Sequence, residues 1–416
     1  METILPLLEL THKASAQVRR LTTKQKQTLL LDLADLLVQN SALIIAENKK
    51  DLDLMDPSDP KYDRLLLNPT RIGGLVESIN EITALKDPAN EVAFAKTLEN
   101  GLQLTKKWVP MGVVGTIFES RPNVTIDVAI LCLMSGNACV LKGGKEAAFS
   151  NTCLVGIIHE ALEKNGIAKE AVLLLPTDRK FLAELLVATR FVDLIIPRGS
   201  QSLIDYVRAN SKIPCIETGA GVCHTYVEKT ADLNMAADII INARASRPSV
   251  CNSLDCAILD ESVLEHLVPL LKEGFDKYQI EVYADVVAYP IFKKNNFNRL
   301  FEAKPEDFGK EWLDFKISIK TVSGLNEALE HISQFSSKHS EAIITQDEEL
   351  AETFLSEVDA AAVYHNASSR FTDGGQFGLG AEIGISTQKL HARGPFALEK
   401  LVTEKWVLKG NGQTRW

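Results

Sequence analysis

The chain has 416 residues, 45% hydrophobic and 24% charged, with 55 acidic against 45 basic side chains and a net charge of −10. That length exceeds one ordinary core and predicts two or three domains, in proportions typical of a soluble globular protein. The acidic balance argues against a nucleic-acid partner, which needs a basic face, and no apolar stretch has the length of a membrane span.

The first twenty residues, "METILPLLELTHKASAQVRR", lack a basic segment before an apolar one and predict a helix, not a signal peptide. The first hundred residues read as helical. In "TKQKQTLLLDLADLLVQNSALIIAENKKDL" leucines recur at three- and four-residue spacing. Residues 92–109 change period: two alternating segments around "ENG" predict a β-hairpin. From residue 110 strands and helices alternate. Strands are predicted at 112–118, 138–143, 171–176, 192–197 and 213–217, with helices from Pro122 to Met134 and over 146–164. Continuous apolar runs separated by helices imply a parallel sheet covered on both faces, in an α/β fold of the dinucleotide-binding class. A second αβ series runs over 222–388, and the tail "KWVLKGNGQTRW" reads as a strand that pairs with another element or another subunit.

Seven cysteines form no C-x-x-C pair and no His/Cys cluster at zinc spacing, so reduced cytoplasmic thiols are expected and no metal site. Cys132, Cys139 and Cys153 lie in apolar stretches and read as packing. Cys251, in "ASRPSVCNSLDC", differs: it follows a proline among small polar residues, between the end of a helix and the start of a strand. Such a loop is a usual place for a reactive group. Ser-Arg-Pro occurs twice, at Arg121 and Arg247, either as two unrelated turns or as two guanidinium groups facing one anion. Lys142 ends a strand just before a glycine pair, where a ribose or phosphate could approach, although no G-x-G-x-x-G or Walker spacing is present.

The blocks "VPMGVVGTIFESRPNVTIDVA", "GNACVLKGGKEA", "ETGAGVCHTYVE", "NARASRPSVCNSLD" and "FTDGGQFGLGAEIGISTQKLHARGP" cover nearly the whole chain in order. Together they resemble the gamma-glutamyl phosphate reductases, a family within the aldehyde dehydrogenase superfamily. The resemblance implies an aldehyde dehydrogenase-like fold: a Rossmann-type NADPH-binding domain (1–91 and 110–222), an α/β catalytic domain (223–388) and a small β oligomerisation element (92–109 and 400–416). It implies NADPH-dependent reduction of L-glutamyl 5-phosphate to the semialdehyde in proline biosynthesis, a homo-oligomer, and association with glutamate 5-kinase.

By position, the resemblance makes Cys251 the catalytic cysteine and Asn123 an oxyanion donor beside the Cys251 backbone N–H. Lys142 matches the lysine at the adenosine ribose. Gly199 and Ser200 match the pair beside the pyrophosphate, at a helix start that favours anions. Glu311, in a diverged motif, matches the glutamate at the nicotinamide ribose. Where NAD-preferring members carry an acid three positions after the lysine, this chain has Lys145, which would attract a 2′-phosphate. Arg121, Arg247, Arg370 and Arg393 are the candidate anchors for the acyl phosphate and the α-carboxylate, with Arg247 favoured by nearness to Cys251. Glu217, in "ETGAG", stands where hydrolytic relatives carry a general base, yet a phosphate-forming enzyme must keep water from its thioester. A water-using aldehyde dehydrogenase and a catalytically silent cofactor-binding protein are the competing readings. A dyad of Cys251 with Cys223–His224 and a thiol-redox protein are weaker ones.

Overall fold

The structure, a computed structural model, describes residues 2–57, 59 and 62–415. The chain divides into two compact units, Met1–Thr218 with Gly378–Gly384 and Phe396–Trp416, and Gly219–Phe377 with Ile385–Pro395.

The first unit opens with α1 (Leu5–Val18), α2 (Thr23–Gln39), α3 (Ser41–Leu52), α4 (Tyr62–Leu65) and α5 (Pro69–Ala84). Local chemistry starts these helices where they start. Thr22 and Gln25 form a capping box at α2, and Asn68 caps α5 ahead of Pro69. The leucine stripe of α2 is the buried one, at Leu29, Leu30, Leu33, Leu36 and Leu37. The hairpin follows as β1 (Val92–Thr97) and β2 (Gln103–Pro110), antiparallel as its alternation predicts.

Then come β3 (Val113–Phe118), α6 (Asn123–Met134), β4 (Ala138–Gly143), α7 (Ala148–Lys164), β5 (Val172–Leu174), α8 (Lys180–Leu186), β6 (Leu194–Arg198) and α9 (Gln201–Asn210). The four strands form one parallel sheet in the order β5-β4-β3-β6. The predicted strand at 213–217 is reduced to a single bridge between Ile195 and Cys215. Pro214 has no N–H to extend a ladder, so the segment touches the sheet only once. The predicted helix at 146 begins at Ala148, after a 3-10 turn over Lys145–Ala147.

The second unit contains β7 (Cys223–Val227), α10 (Leu233–Ala245), β8 (Leu254–Asp260), α11 (Leu264–Lys277), β9 (Glu281–Ala284), α12 (Ala288–Lys294), β10 (Leu300–Glu302), β11 (Lys316–Val322), α13 (Leu325–Phe335), β12 (Ser340–Ile344), α14 (Glu348–Glu357) and β13 (Ala362–His365). Its sheet has the order β10-β9-β11-β8-β7-β12-β13, and every pair is parallel. One face is covered by apolar residues of α10, α11 and α12, the other by those of α13 and α14. That two-sided burial is why residues 256–259 of β8 read as an uninterrupted apolar run.

Short strands β14 (Gly384–Ser386) and β15 (Gly394–Phe396) precede β16 (Val402–Lys409). The tail strand β16 pairs antiparallel with β2 over eight residues, making a three-stranded sheet with β1. Hairpin and tail therefore belong with the first unit, and Asn137 Nδ2 ties the segment before β16 to it by donating to the Leu401 carbonyl at 2.8 Å. Residues 378–384 return to the first unit as well, where Gly380, at φ +74°, lies against α5.

Candidate active site

In the second unit, Cys251 sits in the turn that joins α10 to β8, at the amino end of the parallel sheet. Arg244, fully buried at the end of α10, clamps that turn. Its guanidinium donates to the Pro248 carbonyl at 2.7 Å, the Leu254 carbonyl at 2.8 Å and the Asp255 carboxylate at 2.8 Å. Burial alone pushes both groups of this pair toward neutrality, Arg244 down and Asp255 up. Direct contact opposes that, and the arginine's high intrinsic pKa keeps the pair charged. Ser253 adds a bond to the Ala243 carbonyl, and Asn252 bonds the Thr372 carbonyl while accepting at its own carbonyl from Ser369. Both sides of the cysteine are thus held by side chains from three segments.

The loop before β7 packs on the same turn. A Cβ at Gly221 would lie 1.6 Å from the Cys251 carbonyl oxygen, so only glycine fits. The Gly221 N–H donates to Glu311 Oε1 at 3.0 Å, and the Cys223 thiol donates to the Cys251 carbonyl at 3.2 Å. Glu311 is therefore brought to the cysteine turn within this unit. Arg370 is brought there too: it donates to Ser246 Oγ at 3.1 Å and to Asn252 Oδ1. Burial, then the neighbouring charge of exposed Arg247, lowers its pKa. Two guanidinium groups so close in charge to each other are relieved by an anion between them. Arg393 is placed differently, donating to Asp359 at 2.8 Å. Lys389 and then Arg393 hold the Asp359 carboxyl well below the usual range. His224 is not aimed at Cys251. Alternation along β7 sends Cys223 to the turn and His224 to the opposite face, where its Nδ1 meets Glu341 at 3.1 Å.

The first unit carries the remaining candidates at the carboxyl ends of its strands. The order β5-β4-β3-β6 reverses direction at β3, and the segments leaving β3 and β6 flank that switch point, where open α/β sheets bind ligands. Gly199 and Ser200 follow β6 and open α9, and the Ser200 N–H donates to Glu119 Oε2 at 2.9 Å. A Cβ at Gly199 would lie 2.6 Å from that carboxylate. Glu119 thus occupies the anion position of the helix start. Asn123 is the first residue of α6, half-buried, with its amide donating to Asp127 Oδ2 at 2.9 Å. Arg121, half-buried, lies two residues before it. Although Asp127 keeps some exposure, burial of its carboxyl raises the pKa to about 6, against the lowering effects of Asn123 and Arg198.

Lys142 is buried at the end of β4 and donates to the Thr177 carbonyl at 3.0 Å. Beside it a cleft of about 500 Å³ runs between α7 and β5, lined by Gly143, Asn151, Val155, Leu174 and Pro176. Its apolar walls and strand-end position fit an adenosine. Lys145 is exposed next to this region, whereas Glu146 is turned to Ser120, accepting from its N–H at 2.7 Å and its hydroxyl at 2.9 Å. Glu217 lies near the end of the first unit's long segment with both oxygens on Arg208 Nε, at 2.8 and 2.9 Å. Sequence reasoning missed Arg244, Asp255, Asp127 and Glu119. Only Asp127 left a trace, its spacing of four from Asn123 on a helix.

A cysteine in a clamped turn, and a parallel αβ unit with a strand-end lysine beside an adenosine-sized cleft, define a dehydrogenase of the aldehyde type. The chain belongs to the aldehyde dehydrogenase family, whose model, described as "Aldehyde dehydrogenase family", matches residues 4–304. It is 50% identical over 415 residues to the gamma-glutamyl phosphate reductase of Pelodictyon phaeoclathratiforme, covering 100% of this chain and 99% of the relative. With the enzyme of that name from Legionella pneumophila it shares 51% identity over 404 residues, 97% of each chain. The crystal structure of gamma-glutamyl phosphate reductase from Thermotoga maritima superposes at TM-score 0.93 with 39% identity, covering all of both chains.

Proposed function

We propose that the chain reduces L-glutamyl 5-phosphate to L-glutamate 5-semialdehyde and phosphate, with NADPH as reductant and Cys251 carrying the acyl group. The observation that supports this reading is the Cys251 turn with Arg370 bonded to it and exposed Arg247 within it, two cations suited to an anion beside the cysteine. The Cys251 thiolate attacks the γ-carbonyl carbon. A C–S bond forms, the C–O bond to phosphorus breaks, and phosphate leaves to the guanidinium groups. When bound, NADPH supplies the hydride. The Cys251 N–H and the Asn123 amide are assigned to the resulting oxyanion, each such donor contributing about 3 kcal/mol. The C–S bond then breaks, releasing the semialdehyde and restoring the thiolate.

Lys142 is assigned to the adenosine ribose, Gly199 and Ser200 to the pyrophosphate, with Glu119 moving aside for it, and Glu311 to the nicotinamide ribose. Lys145 supports NADPH, since its cation faces no competing carboxylate from Glu146. Glu217, with its oxygens held by Arg208, supports phosphate release over hydrolysis, because a carboxylate committed to a guanidinium is a poor base for water. Arg121 and Arg393 remain candidate contacts for the α-carboxylate. No single helix among the described residues is long and apolar enough to cross a membrane, and a cytoplasmic homo-oligomer associating with glutamate 5-kinase is the expected setting.

The test is NADPH formation from the semialdehyde and NADP⁺ with and without phosphate. Strict phosphate dependence is expected, and turnover without phosphate would make the enzyme hydrolytic. Cys251→Ala is expected to lower turnover by at least about 10³-fold while NADPH binding, followed by cofactor fluorescence, persists.

A further inference from the structure

Three ligand-type side chains meet in the second unit on the sheet face that His224 occupies. His224 on β7, Cys256 on β8 and His331 on α13 are all buried, and their ligating atoms lie within 4.8 Å of one another. Their linear spacing matches no metal motif, and the register explains how they meet. His224 is the cross-strand partner of Cys256 on one side and of Glu341 on the other, so the three stand in one row over β12, β7 and β8. Helix α13 covers that row and lowers His331 onto it. Cys256 Sγ is 3.7 Å from His331 Nε2, and the two imidazoles meet edge to face at 5.6 Å.

The hydrogen bonding around the row is incomplete at one place. Glu341 is fully buried and accepts from the His224 N–H at 2.9 Å, from His224 Nδ1 at 3.1 Å and from Ser336 Oγ. With Nδ1 bound to a carboxylate, the other ring nitrogen is left as a lone pair, and His224 Nε2 is buried with no hydrogen-bond partner among the described residues. An imidazole oriented by a carboxylate at one nitrogen and vacant at the other is the usual form of a metal-binding histidine.

From these observations we propose that His224 Nε2, Cys256 Sγ and His331 Nε2 bind one zinc(II) ion. Two imidazoles and a thiolate suit a borderline-soft ion, and three protein donors are the number in zinc sites that keep one position open. Charge selects the divalent ion: a Cys256 thiolate and the Glu341 carboxylate balance it, where buried and unpaired they would be costly. On binding, the metal–sulfur bond forms as the S–H bond breaks. One proton leaves per ion, and nothing is oxidised or reduced. Zinc–ligand bonds of about 2.0–2.3 Å require the donors to close by less than roughly 1 Å. With three protein donors, its fourth position would be left to a water. It would join β7, β8 and α13 at His224, next to the Cys223 thiol that supports the Cys251 turn.

The proposal is independent of the reaction, and so is its test. The full chain, purified without chelator from zinc-supplemented cells, is expected to hold about one zinc per chain by mass spectrometry. Stripped and titrated with cobalt(II), it is expected to show a thiolate-to-cobalt charge-transfer band that saturates at one equivalent. Cys256→Ser is expected to abolish the band with the circular dichroism of the folded chain retained, and chelation should lower the Tm of the parent but not of the variant. His331→Gln, tested in parallel, is expected to weaken cobalt binding at least tenfold. A folded parent that gives no band at stoichiometric cobalt, a band that survives Cys256→Ser, or copper found in place of zinc would each overturn the assignment. The first result would leave the cluster as a His224–Glu341 hydrogen bond packed against a thiol.

Discussion

Among individual residues, the candidate site is shaped as much by what holds the reactive groups as by the groups themselves. Asn123 presents its amide through Asp127, whose pKa is raised to about 6 from an ordinary 3.8. A folded pKa above the unfolded one means that Asp127 favours folding most below about pH 4, and that this contribution is lost as pH rises through about 6. Asp127→Asn is therefore expected to flatten the dependence of urea-unfolding stability on pH between 4 and 7. It is also expected to remove any limb near pH 6 from the profile of kcat/KM. A limb or slope unchanged in the variant would assign that titration to another group. Lys145 offers a second test. Reversing its charge changes the interaction with a 2′-phosphate by about 2 kcal/mol near the surface, so Lys145→Glu should shift the NADPH/NADH ratio of kcat/KM roughly 30-fold toward NADH. An unmoved ratio would show that Lys145 does not face that phosphate.

At the level of elements, the decisive unit is the turn between α10 and β8, held by the buried Arg244–Asp255 pair. Removing one member of a buried pair leaves an uncompensated charge and costs about 3–5 kcal/mol. Arg244→Ala is expected to lose that much stability in urea unfolding. Arg244→Lys is expected to rescue little, since an ammonium cannot reach three acceptors in the guanidinium's planar fork. A near-normal midpoint for Arg244→Ala would mean that the Gly221 loop and the bonds of Asn252, Ser253 and Ser369 suffice to hold the turn. The same level shows why Cys251 was legible and its clamp was not. The cysteine interrupts the apolar pattern visibly, whereas Arg244 sits in an ordinary helix end, and its acceptors are backbone carbonyls that leave no mark on the sequence.

For the whole molecule, the three-stranded sheet of β1, β2 and β16 projects exposed apolar side chains, among them Phe94, Trp406 and Leu408. Phe94 and Trp406 meet edge to face across it, and Lys106 lies over the Trp406 ring. An apolar sheet face in solvent is a surface for association. Trp406→Glu is expected to shift sedimentation toward a smaller species with the fold intact. An unchanged sedimentation coefficient would show that this face carries no subunit contact.

The chain order of strands and helices, the hairpin, both parallel αβ series and the loop position of Cys251 were written in the sequence, because periodicity, turn residues and apolar runs are local properties of neighbouring residues. Strand 213–217 failed by the same rule, since a proline's missing N–H shortens a ladder that its apolar neighbours suggest. Tertiary structure decided what no local pattern encodes. It set the return of 378–384 and the tail to the first unit, the binding of Glu217 by Arg208, and the meeting of Arg370 with the Cys251 turn. It also set the row of Glu341, His224 and Cys256 beneath His331. Apart from Glu217 and Arg208, nine residues apart, these depend on register between strands or on side chains tens to more than a hundred residues apart. Only the packed chain brings such partners within bonding distance.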